Sequence, residues 1–411
     1  MKTKHISVLL ALTLTMFNCT KDITPVTVPP DIVLTPKSAE LVTADNTFTF
    51  NLLNKIPMTT PENVMVSPLS ISLALSMALN GAETTTKSGM INTLGFSGLT
   101  VDEINQTYLD LITALKQADP DVVMNVANSI WIRKGYPVLA PFTSTNQKYY
   151  DASVESLDFD LTALNRINSW VNEKTNAKIP KILDEISAQE VMFLINAIYF
   201  NGKWKIQFDK TKTQDESFTL SAGGSVTVPM MKSKELYGYS VESGYKALKV
   251  PYGRGKFAMT MLLPDDGKTV DQIVSQLNPS VWSALQTSLS TTVKTDVWLP
   301  RFKFSWGVDL NDILSAMGMS VAFSDQLADF SKINSTDRLY ITKVKHKTFI
   351  DVNEEGTEAA GVTSIGIGVT SVGPLEPVFH ATKPFLFLIT EGDTGAILFA
   401  GKVENPSISN E

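Results

Sequence analysis

The chain has 411 residues, 43% hydrophobic and 19% charged, with a formal net charge of −7. That balance supplies an ample core for one large domain or two ordinary ones, and it argues against nucleic acid as a partner. A lone cysteine, Cys19, excludes an intrachain disulfide, and three histidines, His5, His346 and His380, are too few for a structural zinc site, so no metal or cofactor is expected.

The N-terminus reads as a targeting segment. Lys2 and Lys4 make a basic start, and Ile6 to Phe17 is apolar but too short to span a bilayer. Cys19 follows at once. The arrangement resembles a bacterial lipoprotein signal, although Asn18 replaces the usual small residue. Residues 1–18 are then the signal, and Cys19 is the lipidated residue. The expected location is exported, anchored by lipid alone to the outer membrane or cell surface, with plain secretion as the alternative. Residues 19–38 hold Pro25, Pro29, Pro30 and Pro36 and read as an extended tether.

The folded domain is expected over 39–407. A first helix is predicted over Thr43 to Asn54. A short strand from Asn63 runs into a helix capped by Ser67, with Pro68 at its first position and Asn80-Gly81 as its stop. Thr84 to Leu94 is helical. Thr100 and Glu103 form a capping box before Ile104, Tyr108, Leu111 and Leu115. Val122 to Ile132 reads as a buried strand and Ala163 to Thr175 as a helix. Val191 to Phe200 is an apolar run suited to a central strand, with a turn at Asn201-Gly202 leading to Trp204.

Thereafter strands dominate: Ser225 to Met231, Tyr237 to Val241, Ala247 to Val250, Phe257 to Leu263 and Val297 to Phe304. Asp271 and Asn278-Pro279 each open a helix, and Leu310 to Met317 is a helix ended by Gly318. Phe385 to Thr390 and Ala396 to Val403 flank a hairpin turn. There is no internal repeat. Helices first and strands later indicate an α+β fold in one domain.

One stretch departs from ordinary loop chemistry. An extended run begins at Leu339, and Val344, His346, Thr348, Ile350 and Val352 alternate onto one face. Glu354-Glu355-Gly356 then has a hinge composition. Beyond it the chain is small and uncharged, apart from Glu358, until Ile365. As a strand, Thr357, Ala359, Gly361, Thr363, Ile365 and Ile367 share one face, and Glu358, Ala360 and Val362 share the other. A buried carboxylate is costly, so the Glu358 face is the outer one. Composition alone also fits a glycine-rich linker or lid.

Residues Val344 to Gly361 closely resemble the hinge region of the serpins, protease inhibitors whose reactive loop is cut and then inserts into a β-sheet. Asn196-Ala-Ile-Tyr-Phe-Asn-Gly-Lys-Trp204, Leu299-Pro-Arg-Phe-Lys303, Phe379 to Phe385 and Leu398 to Val403 are similar to other segments of that family. The resemblance implies three β-sheets, eight or nine helices and an exposed reactive loop over about 354–376. It assigns Glu354, Glu355, Gly356, Thr357, Glu358, Ala359, Ala360, Gly361 and Val362 to the hinge. Ser67, Ser70, Asn196 and His346 form the polar shutter, and Trp204 marks the breach. The family's usual loop length puts the scissile bond at Thr370-Ser371, with Val369 and Ile367 as neighbouring choices.

The implied protein is not an enzyme; no nucleophile motif is present. It is a monomeric suicide substrate for serine proteases with small apolar primary pockets, elastase-like or subtilisin-like, with cysteine proteases as a further class. The alternative is a non-inhibitory binding or carrier protein. Such relatives carry bulky, charged or proline residues in the hinge, whereas Thr357, Ala359, Ala360 and Gly361 are small.

Overall fold

The computed structural model describes residues 29–357 and 376–409. Cys19, Glu358, Ala359, Ala360, Gly361, Val362, Ile367, Val369, Thr370 and Ser371 lie outside that range.

Helix α1 (Pro36–Leu53) starts seven residues before the expected Thr43. The prolines suggested an extended tether up to residue 38. Pro36, however, occupies the first turn, where a missing N–H costs nothing, and Thr35 caps the helix by accepting from Ser38 N–H. The chain is already docked before that. Ile32 and Leu34 pack on the core, and Asp31 pairs with Lys256.

Strand β1 (Val64–Val66) leads to Ser67, the cap of α2 (Pro68–Leu79). Helices α3 (Thr84–Leu94) and α4 (Val101–Gln117) follow, the latter with both halves of the Thr100/Glu103 capping box. Strand β2 (Val122–Arg133) precedes α5 (Ala140–Tyr150) and β3 (Ser153–Leu157). Neither of the last two was expected: α5 is polar and lacks a side-chain cap, and β3 is short. Asp160 caps α6 (Leu161–Lys174).

Strand β4 (Met192–Lys203) does not turn at Asn201-Gly202, because both residues stay paired with β2. Next come β5 (Gln214–Thr219), β6 (Ser225–Glu242), β7 (Tyr245–Pro251) and β8 (Phe257–Pro264). The two strands expected within 225–241 are one, since the polar stretch around Lys234 pairs along β9 (Thr292–Pro300). Thr269, not Asp271, caps α7 (Val270–Val274), and Asn278 caps α8 (Pro279–Ser288). The strand expected over 297–304 is broken at Arg301 into β9 and β10 (Phe302–Asp309). The α-helix α9 (Asn311–Leu314) passes into a π-helical turn, Ser315–Met319, where Gly318 has φ 120°.

Strand β11 (Lys345–Asn353) starts later than Leu339, but its buried positions are the expected His346, Thr348, Ile350 and Val352. The last strands are β12 (Gly356–Thr357), β13 (Val378–His380), β14 (Phe385–Glu391) and β15 (Ile397–Val403).

Among the described residues these strands form two hydrogen-bonded networks. One runs β1-β15-β14-β8-β7-β6-β9-β13, with β5 beside β6, and the other runs β10-β11-β12-β4-β2-β3. The 18-residue β6 joins what the resemblance counts as two separate sheets. Helix α2 is almost wholly buried, its apolar surface interrupted by Ser70, Ser72 and Ser76, and it touches both β4 and β15.

Candidate functional site

The six-stranded network has an open seam. Strand β4 is paired with β2 from Met192 to Gly202, and β11 with β10 from Lys345 to Val352. Between β4 and β11 stands only β12, whose two residues pair with Gly202 and Lys203 on one side and Val352 and Asn353 on the other. Both pairings are antiparallel, so β4 and β11 run parallel to each other. Below Thr357 their facing edges have no strand between them among the described residues. Under this seam lies a cavity of about 370 Å³, lined by residues such as Ser70, Leu75, Met192, Leu194, Leu339 and His346. Two parallel strand edges set apart over an apolar floor are what an incoming strand requires.

Of the hinge residues, Glu354 to Thr357 are not part of an exposed loop, where the resemblance placed them. Glu354 and Glu355 form the tight turn between β11 and β12, and all four residues from Glu354 to Thr357 are buried. Gly356 has φ 150°, and a Cβ there would stand 2.2 Å from the Gly202 carbonyl oxygen, so only glycine passes. Thr357 Oγ1 lies 2.6 Å from the Tyr252 hydroxyl.

Glu354 is 2% exposed and receives a forked contact from Arg301: Nε donates to Oε1 at 2.8 Å and to Oε2 at 2.9 Å. Thr213 Oγ1 donates to the same carboxylate. Burial pushes the Glu354 pKa up, but the Arg301 and Thr213 hydrogen bonds outweigh it and hold the carboxyl below its usual range. Glu355 binds Lys210. Trp204 closes the top of the seam. Its backbone N–H donates to Glu355 O at 2.8 Å, its indole N–H donates to Asn353 O at 2.9 Å, and its ring stacks on Tyr252 at 4.4 Å.

Halfway down the seam the expected polar cluster is one connected network. Ser67 N–H donates to His346 Nε2 at 2.9 Å, and Ser67 Oγ donates to Leu398 O at 2.7 Å. Ser70 N–H donates to Ser67 Oγ, and Ser70 Oγ donates to Asn196 Oδ1. Asn196 passes the chain to Asn128 at 2.7 Å, and Asn128 donates to Tyr150 O. An imidazole nitrogen that accepts is unprotonated, and burial pushes the His346 pKa down to about 3.

A family model described as serpin (serine protease inhibitor) matches residues 43–406. The chain is a serpin. It is similar to an uncharacterized serpin-like protein of Methanosarcina mazei, 34% identical over 384 residues that cover 90% of this chain and 89% of that one. It is also similar to Serpin B6 of Macaca fascicularis, 35% identical over 379 residues, covering 89% of this chain and 99% of the relative. Among solved structures, the native state of the thermophilic serpin tengpin matches with TM-score 0.81 and 31% identity, over 92% of this chain and 96% of that one. Human thyroxine-binding globulin matches with TM-score 0.82 and 29% identity, over 90% of this chain and all of that one.

Within the serpin fold, Ser67, Ser70, Asn196 and His346 meet in one cluster, and Trp204 meets Asn353 and Glu355 in another. Sequence reasoning missed Arg301, Thr213, Lys210, Tyr252 and Asn128. Two signals were available. Arg301 interrupts an otherwise strand-like run, and Asn128 is a polar residue inside an apolar strand. His380, given no role, stacks on Trp298 at 4.1 Å in β13.

Proposed function

We propose that this serpin is an inhibitor that traps a serine protease as an acyl-enzyme. The observation that carries the reading is the seam between β4 and β11, already entered by Gly356 and Thr357. Extending the β12 register sets Glu358 against Asn201 and Asp351, Thr363 against Asn196 and His346, and Ile365 against Leu194 and Val344. Ile367 then reaches Met192, the start of β4. Ten further residues thus fill the edge. Thr363 brings a hydroxyl to the polar cluster, and Ile365 and Ile367 bring apolar mass to the cavity.

The protease attacks the Thr370 carbonyl and Ser371 leaves with the C-terminal side. The cut strand then zips into the seam and drags the tethered enzyme. The roughly thirteen residues from Glu358 to Thr370, at about 3.3 Å each, give a path of some 43 Å. New ladder hydrogen bonds at about 1 kcal/mol each, with the buried isoleucines, supply on the order of 10–20 kcal/mol. Deacylation depends on sub-ångström geometry, so a distorted active site stalls. Ile367, Gly368, Val369 and Thr370 offer no cation and no large aromatic, which suits an elastase- or subtilisin-like primary pocket. Gly366 and Gly368 weaken strand propensity and favour some turnover as plain substrate. The segment before Asp31, with Cys19 as lipid anchor, holds the inhibitor at the cell surface.

The test is incubation of the soluble domain with neutrophil elastase, subtilisin and trypsin, followed by denaturing gels and mass spectrometry. A complex that survives denaturation, with a new N-terminus at Ser371 and faster inhibition of elastase than of trypsin, is expected. Cleavage without complex would move the carrier reading ahead, the relationship to thyroxine-binding globulin giving it a structural precedent. Metabolic lipid labelling that disappears in Cys19→Ala tests the anchor; unlabelled secreted protein overturns it.

A further inference from the structure

Helix α2 carries a second polar cluster, one or two turns beyond Ser67 and Ser70. It faces α1, α4 and the end of α5 rather than the seam. Its centre is Asp45 on α1, a buried carboxyl. Tyr108 OH on α4 donates to Asp45 Oδ1 at 2.8 Å. Asp45 Oδ2 is fully buried and accepts nothing, and the hydroxyl oxygens of Ser72 and Ser76 are likewise buried without a partner. Ser72 faces Asp45 and Tyr108, and Ser76 faces Tyr150. Tyr150 OH is engaged elsewhere, donating to Asn105 Oδ1 at 2.8 Å. No lysine, arginine or histidine among the described residues pairs with Asp45.

An ionised carboxylate here would be buried with one hydrogen bond and no cation, an arrangement proteins avoid. A neutral carboxyl fits. A protonated Oδ2 carries no charge into the interface of α1, α2 and α4, and the hydroxyl facing it, Ser72 Oγ, is itself without a partner. We propose that Asp45 carries its proton in the folded protein and acts as a pH-sensitive latch that seats α2 against α1 and α4. Burial raising this carboxyl to about 7 agrees with the geometry.

The sign follows by linkage. The unfolded chain loses the Asp45 proton near pH 4, and the folded chain loses it only near 7. The latch therefore stabilises most in acid. Its contribution falls up to tenfold in the folding equilibrium per pH unit between those values, and it is gone above them. The helix it releases is the one whose first turn holds His346 and Asn196, so alkaline loosening reaches the seam.

Urea midpoints of the full folded domain, wild type and Asp45→Asn, should be compared from pH 4.5 to 8.5. The wild-type advantage over Asp45→Asn is expected to shrink steadily up to about pH 7. Parallel profiles would overturn the latch. Should Asp45→Asn not fold, the infrared band of a protonated buried carboxyl, lost in wild type near neutral pH, gives the same answer; its absence at pH 5 would contradict the proposal. Wild type stabilised at pH 5 by sodium or potassium chloride, but not by tetramethylammonium chloride, would also overturn it by showing an ionised carboxylate holding a cation.

Discussion

At the residue scale, two positions have outcomes that can be fixed in advance. His346 is neutral because burial holds its pKa near 3, against 6.5 for a free imidazole. Its contribution to stability is complete above 6.5 and is lost as pH falls through that value toward 3, at up to about 1.4 kcal/mol per pH unit. This runs opposite to the slope assigned to Asp45, so the two separate cleanly. Urea midpoints of wild type against His346→Gln between pH 6.5 and 4.5 should converge as pH drops; constant separation would contradict it. Gly356 is the second position. Alanine would meet the Gly202 carbonyl at 2.2 Å. Gly356→Ala should cost the intact protein roughly 1–3 kcal/mol and slow inhibition. An unchanged midpoint and rate would show that the backbone yields there at no cost.

At the element scale, sequence legibility tracks how local the determinants are. The Ser67 cap, the Thr100/Glu103 box and Asn278-Pro279 each act within one turn, and each sits where the sequence places it. Misjudged boundaries depended on distant partners. Asn201-Gly202 reads as a turn, yet β2 and β12 keep it in the sheet. Pro36 reads as tether, yet the hydrophobic face of α1 draws it into the fold. Arg301 breaks one strand into two because its side chain serves Glu354, 53 residues away. The segment before α1 is a further case. Lys256 is 7% exposed and lies between Asp31 and Asp393, while Ile32 N–H donates to Asp393 at 2.9 Å. A domain starting at Thr35 should be less stable than one starting at Pro29 by about 1–2 kcal/mol, from lost apolar cover and two charged hydrogen bonds, one of them to the exposed Asp31. Equal thermal midpoints would make the segment a passive tether after all.

At the scale of the whole molecule, the polar cluster and the first hinge residues were legible as residue types but not as a state. The sequence marks Thr357 as inward-facing; it cannot show that Gly356 and Thr357 already stand between β4 and β11, with no other strand in the seam among the described residues. On the proposed mechanism that state is the source of the driving force, because the chain carries a strand that fits the seam. Cutting the loop should therefore raise stability instead of lowering it, and the thermal midpoint of protein cleaved near Ser371 should exceed that of the intact form by tens of degrees, given on the order of 10–20 kcal/mol of new pairing. The register can be tested more directly still. In a Cys19→Ala background, Ile365→Cys and Leu194→Cys would face each other across an antiparallel pair, within disulfide reach. The measurement is oxidation of this variant before and after loop cleavage. A cross-link that forms only in the cleaved protein is the predicted result, and a cleaved protein that stays reduced at this pair would contradict insertion in this register.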